Sequence, residues 1–274
     1  MQSMKLYPSP EASQILLGRN FAAPLIFQVP LDDMVDSVAF SSDGKYVASG
    51  EIDGTIRVWE IATEREISHM KHVGIVHSIA FSPDGKYIVT GSSDGTARVW
   101  DSATGLEISR MIYEDSVYSV SFSPDGTYVA SGSWDGTARV WEAATGREIS
   151  RMTHDDWVRS VVFSSDGKYV LSGSGDGTAR VWDAITGREI SRMMHGGMIR
   201  AVAFSPDGKY IASGGGDNIA RVWEIATGKE TLACCMMTGC TLFLSALTEN
   251  MWLREVLTVR SEYGMPLPVR KYPT

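Results

Sequence analysis

A histidine, a hydroxyl side chain, an aspartate and a tryptophan recur together along this sequence. One set is His72, Thr90, Asp94 and Trp100; the others are His154, Ser172, Asp176, Trp182 and His195, Ser213, Asp217, Trp223. His beside Ser and Asp is the trio of nucleophilic hydrolases, in which Asp orients an imidazole that takes the hydroxyl proton. One active site needs no copies, however, and here the trio repeats beside a Trp. A structural role is expected for it, with no catalytic residues. The sequence holds no Gly-x-Ser-x-Gly elbow, Walker loop or His-Glu-x-x-His. Its Ser-Gly-Ser-x-Asp-Gly phrases precede strands rather than helix N-termini, so they are hairpin turns and not phosphate loops. Cys234, Cys235 and Cys240 lack a fourth nearby ligand and zinc-loop spacing, so neither a metal nor a cofactor is expected.

The elements that position these residues follow from a strict period. Phe40, Phe81, Phe122, Phe163 and Phe204 lie 41 residues apart, as do Trp59, Trp100, Trp141, Trp182 and Trp223. Within one unit, VYSVSF, TYVASG, TARVW and REISRM read as four short strands. SPDG, D-G and ATG supply the turns between them. The expected class is all-β: a four-stranded blade repeated five times, with an incomplete or composite sixth, and the five Trp largely buried.

These repeats resemble WD40 repeats of the regular bacterial type, on unit length, the closing Trp-Asp or Trp-Glu and the S-x-D-G-T turn. The resemblance implies a β-propeller over residues 31–230 and a buried His–Ser/Thr–Asp–Trp set in each blade. The second and fourth copies carry the whole set; the third has Tyr113 and the first Leu31 where His belongs. In the fifth, Asn218-Ile219 replaces Gly-Thr, which puts that turn in doubt. Blades one, three and five are therefore expected to be looser than two and four. Arg57, Arg98, Arg139, Arg180 and Arg221 also keep the period; they are assigned a strand-face or blade-edge role. His69 is assigned to solvent.

What varies between copies carries the individuality. The residue before the turn Asp reads Ile52, Ser93, Trp134, Gly175, Gly216. The positions flanking the first apolar residue of each unit read Met34/Asp36, Ile75/His77, Ser116/Tyr118, Trp157/Arg159 and Met198/Arg200. In the propellers this chain resembles, these positions line the top face around the channel. Trp, Tyr, Met and Arg are also the types enriched in interface cores and hot spots. Met34, Asp36, His77, Tyr118, Trp134, Trp157, Arg159, Met198 and Arg200 are thus the candidate partner-binding residues. The partner expected is a protein or peptide. The resemblance further suggests the docking or sensor part of a larger regulator. A propeller enzyme is the weaker alternative, since no acids or His cluster at one channel end.

The chain has 274 residues and a net charge of −8, which argues against a nucleic-acid partner. No secretory signal opens it, and cysteines are confined to the tail, consistent with the cytoplasm. Residues 1–30 form an N-terminal segment, whose Leu25–Val29 stretch is a candidate closing strand. From Thr231 to Thr248 no charge occurs, yet the Thr and Gly content and the missing basic flanks argue against a membrane span or membrane partner. The tail, 231–274, reads better as a sixth repeat out of frame. Joining the third base of each codon to the next two turns Met236-Met237-Thr238 into Asp-Asp, as at Asp155-Asp156. Likewise Asn250-Met251-Trp252 becomes Tyr or His, then Val. Synonymous codons permit SPDGKYV over Ser245–Trp252, DGTVRVWD over Leu257–Met265 and EIS over Arg270–Pro273. One nucleotide lost near codon 231 would account for this. The alternative to a docking scaffold is therefore a truncated or frameshifted fragment of a larger WD40 regulator.

Overall fold

Alternating β-branched residues and turn dipeptides produce what they specify. The structure, a computed structural model, describes residues 33–235, which form twenty strands and no helix. Blade one comprises β1 (Val35–Phe40), β2 (Tyr46–Glu51), β3 (Thr55–Glu60) and β4 (Arg65–Lys71). Blade two comprises β5 (Val76–Phe81), β6 (Tyr87–Ser92), β7 (Thr96–Asp101) and β8 (Glu107–Ile112). Blade three follows with β9 (Val117–Phe122), β10 (Tyr128–Ser133), β11 (Thr137–Glu142) and β12 (Arg147–Thr153). Blade four holds β13 (Val158–Phe163), β14 (Tyr169–Ser174), β15 (Thr178–Asp183) and β16 (Glu189–Met194). Blade five holds β17 (Ile199–Phe204), β18 (Tyr210–Gly215), β19 (Ile219–Glu224) and β20 (Glu230–Cys235). Each is an antiparallel sheet in chain order, and the five do not close into a ring. The candidate closing strand Leu25–Val29, Leu31 and the tail after Cys235 lie outside the described residues.

Both hairpin types are built by side chains acting on the backbone. In the first, Ser82 Oγ donates to Asp84 Oδ1 at 2.6 Å and accepts the Tyr87 N–H at 2.9 Å; all five copies repeat it. In the second, Gly54, Gly95, Gly136 and Gly177 take φ of 77–92°. Asn218 holds the fifth such position at φ 60°, a value Asn tolerates. The doubt about that turn is thereby removed.

Apolar packing lies between blades. Ala48, Ile56, Val58 and Met70 of blade one meet Val76, Ile79, Ile88 and Trp100 of blade two. Equivalent residues join two to three, three to four and four to five. Innermost strands β1, β5, β9, β13 and β17 are neighbours. The Ser37, Ser78, Ser119 and Ser160 hydroxyls accept the N–H of the next blade's Ile79, Val120, Val161 and Val202 at 3.0–3.3 Å. On the outer strands Ser68, Ser109 and Ser150 donate to the next blade's Ser102, Ala143 and Ala184 carbonyls at 2.5–2.6 Å.

Trp59, Trp100, Trp141, Trp182 and Trp223 are 5–6% exposed, as the period requires. Because Trp182 fills the core shared by blades three and four, Trp182→Ala should cost about 3–5 kcal/mol. Urea unfolding would show it; a loss under ~1 kcal/mol would contradict the shared-core assignment.

Candidate functional site

The recurring polar set comes first, because it fixes the loop end of each blade. In blade two His72 Nε2 lies 2.7 Å from Thr90 Oγ1, and His72 Nδ1 lies 2.9 Å from Asp94 Oδ2. Trp100 Nε1 donates to Thr90 Oγ1 at 2.8 Å. Blade four repeats this with His154, Ser172, Asp176 and Trp182 at 2.7–3.0 Å. This is hydrolase-trio geometry, yet Thr90 and Ser172 are wholly buried, so neither hydroxyl can meet a substrate. Burial pushes His72 below its ordinary pKa and His154 down to about 4. Burial alone would raise the partner carboxyls, but hydrogen bonds hold both below the usual range. For Asp94 these come from His72, Thr96 and the Val73 N–H; for Asp176 they come from Thr178 and His154. Neutral imidazole against ionised carboxylate leaves Nδ1–H donating to Asp and the hydroxyl donating to Nε2.

Period-2 alternation could have located a further member. Thr96, Arg98 and Trp100 share one strand face, and Arg98 is buried against Asp94 at 2.9 Å. Arg139 and Arg180 bond Asp135 and Asp176, each at 2.7 Å. Of the strand-face or blade-edge role assigned to these Arg, the strand face applies to Arg98, Arg139 and Arg180, which are buried ion-pair partners near the Trp rings.

The off-pattern blades differ from one another. In blade three Tyr113 is buried, its hydroxyl bonds Ser131, and Trp141 Nε1 donates to it at 2.6 Å. A phenol here reaches the hydroxyl that imidazole bonds elsewhere. Among the described residues Ser49 Oγ of blade one is buried without a hydrogen-bond partner, and Arg57 pairs with buried Glu51 at 3.3 Å. In blade five Trp223 keeps Ser213 at 2.8 Å, but His195 contacts Asp217 and Arg221 and makes no bond to the Ser213 hydroxyl. Gly215 stands where Ser92, Ser133 and Ser174 stand, and a Cβ there would lie 2.7 Å from His195 Nδ1. The missing side chain admits the displaced ring. Ile219 also removes the hydroxyl that Thr96, Thr137 and Thr178 donate to their turn Asp at 2.6 Å.

Over this framework the variable residues meet. Asp36, His77, Tyr118, Arg159 and Arg200 are each the second residue of an innermost strand. Asp36 Oδ2 lies 2.8 Å from His77 Nδ1, and the His77 ring stacks on Tyr118 at 4.5 Å. Arg159 lies 5.3 Å from the Tyr118 ring and 5.9 Å from the Trp157 ring. Trp134, 45% exposed, stacks on Trp157 at 5.2 Å and 8°. Gly175 makes room for the Trp157 indole and Gly216 for Met198. One contact row therefore runs from the Asp36 carboxylate through imidazole and phenol to the Arg159 guanidinium, and Arg200 holds the equivalent strand position on blade five. Arg200 is exposed and bonds no described residue. Met34 and Met198 are exposed, whereas His77 is held between Asp36 and Tyr118. His69 is exposed, as assigned.

The family described as "WD domain, G-beta repeat" matches residues 26–60, and "IFT122 first beta-propeller" matches residues 75–231. The chain belongs to the WD40-repeat β-propellers. Among solved structures, the crystal structure of the computationally designed Ika8 protein is similar, at 31% identity and a TM-score of 0.68. That similarity covers 76% of this chain and 64% of the designed protein's length. WD40 propellers are generally protein-interaction scaffolds. Among the described residues no helix is long and apolar enough to cross a membrane, and no His, Cys, Asp and Glu group could hold a metal.

Two outcomes follow from the polar sets. His154 is neutral in the fold down to about pH 4, whereas the unfolded chain takes up that proton near 6.5. Its stabilising contribution is full above pH 6.5 and lost as pH falls towards 4, by up to about 1.4 kcal/mol per pH unit. His154→Tyr, borrowing blade three's solution, should keep the fold and flatten that slope in denaturation at pH 7 and pH 5. An unchanged slope would remove His154 as the cause. Gly215→Ser with Ile219→Thr should return His195 to Ser213 and add about 1–2 kcal/mol, read as a higher urea midpoint; a lower one would refute the account of blade five.

Proposed function

We propose that this WD40 propeller is a non-catalytic docking module that binds a protein or peptide segment at the loop end of blades three to five. One observation carries the reading: rings and charges from blades one to four meet in a single contact row that leaves Trp134 exposed, and beside it on blade five Arg200 is exposed with no partner among the described residues. Buried hydroxyls in the hydrolase-like trios weigh against an enzyme. At the opposite end, a cavity of about 350 Å³ is lined by the repeated Phe and Ser residues. Identity between copies suits packing there, whereas difference between copies suits recognition at the loop end.

The row also defines what fits it. Trp134 and Trp157 offer a flat apolar face, and Arg200 offers a free guanidinium that matches a carboxylate bidentately. The preferred segment is an apolar or aromatic side chain followed by an acidic one. Net charge of −8 disfavours nucleic acid, and membrane is not among the proposed partners. A reducing compartment such as the cytoplasm suits a chain whose cysteines are confined to the tail.

Selection from a displayed random-peptide library tests this directly. Peptides enriched on the unmodified chain should bind a Trp134→Ala, Trp157→Ala double variant at least ~10-fold more weakly. Arg200→Glu should select against their acidic residue. Ligands indifferent to all three changes would sink the proposed site.

A further inference from the structure

Four interfaces in this molecule show what the outgoing face of a blade requires, and blade five has such a face. Its residues Ala212, Ala220 and Val222 correspond to Leu171, Ala179 and Val181, which are fully buried against blade five itself. Ala220 and Val222 are 7% and 9% exposed, and Ala212 is half-buried. The outer-strand latch is missing as well. In the β19–β20 ladder Leu232 pairs with Val222, the place Ser191 takes opposite Val181, although the Ser191 hydroxyl bonds Met193 Sδ and the latch itself is made at the first three interfaces. Leucine has no hydroxyl to donate, unlike Ser68, Ser109 and Ser150.

We infer that this face is the seat of a sixth WD blade, encoded by the same gene over codons 231–274 and displaced by one lost base. Each incoming face consists of two apolar residues on the first strand, one on the second and the Trp of the third: Val158, Val161, Val170 and Trp182, for example. Two periods on, these become positions 240, 243, 252 and 264. In the shifted frame Gly239-Cys240 gives only Leu, Met or Val, and Leu242-Phe243 gives only Phe, Leu, Ile or Val. Met251-Trp252 gives Val without choice, and Tyr263-Gly264 gives Trp or Arg.

The polar set passes the same check. Cys235-Met236 can give only His or Tyr at position 236, one period after His195. His154 and Tyr113 show those two residues filling this site. At 232 the shifted frame permits Ser, restoring the latch hydroxyl. An Ile codon ATC that loses its middle base becomes ACN, the codon of Thr231, with Ile at its equivalent, Ile190. At each of these positions the codons permit the residue that the fold demands, and at 252 they force it.

Direct sequencing of the gene decides the coding part. Codons 231–274 should read as a WD repeat after one base is restored; a shifted frame without that repeat overturns the inference. Expression of the chain as given beside a chain with one base inserted in codon 231 decides the structural part. The restored chain should melt roughly 5–10 °C higher, as an added nearest-neighbour interface implies. Val222→Asp should abolish most of that gain in the restored chain. No gain, or a gain that survives Val222→Asp, would show that the new segment does not seat on blade five. A chain as given that self-associates through this face, with no gain on restoration, would assign the face to a second copy instead.

Discussion

The apolar core of this protein belongs to the spaces between its sheets. A four-stranded sheet is too thin to enclose side chains, so each blade buries one face on its predecessor and offers the other to its successor. Everything else is subordinate to that arrangement. Trp182 is buried because blade three covers it, and the Ser hydroxyls that cross between blades hold neighbouring sheets at fixed offset. At blade one, where no described sheet precedes, Val38 and Phe40 are 50% and 65% exposed, while Val161 and Phe163 in the same roles are buried.

Polar groups inside each blade obey a different rule: the site is conserved in function while its occupants change. Imidazole in blade four and phenol in blade three both reach a buried serine under a tryptophan. An imidazole must remain neutral to do this, which ties blade four to pH, whereas a phenol pushed up by burial stays protonated. Blade five shows how little is needed to undo the set. Removing one methylene and hydroxyl at Gly215 opens the space into which His195 moves.

Much of this was legible before any coordinates. A 41-residue period with β-branched runs and D-G turns specifies five sheets, their registers and five buried indoles, since each is a local pattern repeated. The loop-end grouping of Tyr118, Trp134, Trp157 and Arg159 was legible for the same reason: equal positions in equal blades become neighbours. Less legible were effects that depend on reach. Whether Tyr113 replaces His depends on a phenol being long enough, and the burial of Arg98 depends on which strand face is covered. Asn218 misled because its turn needs only a positive φ, not a glycine.

Identical spacing of the innermost strands has a consequence for how such a surface changes over generations. Adjacent residues in the row are 41 positions apart in sequence, and every seam between blades has the same chemistry. Excising one whole repeat, residues 113–153, would therefore leave matched seams on both sides while bringing His77 beside Arg159. The row would lose its phenol and one indole in a single step, with no substitution in the blades that remain. Recombination between repeats thus reshuffles the recognition surface like beads on a string, and the packing is indifferent to the order.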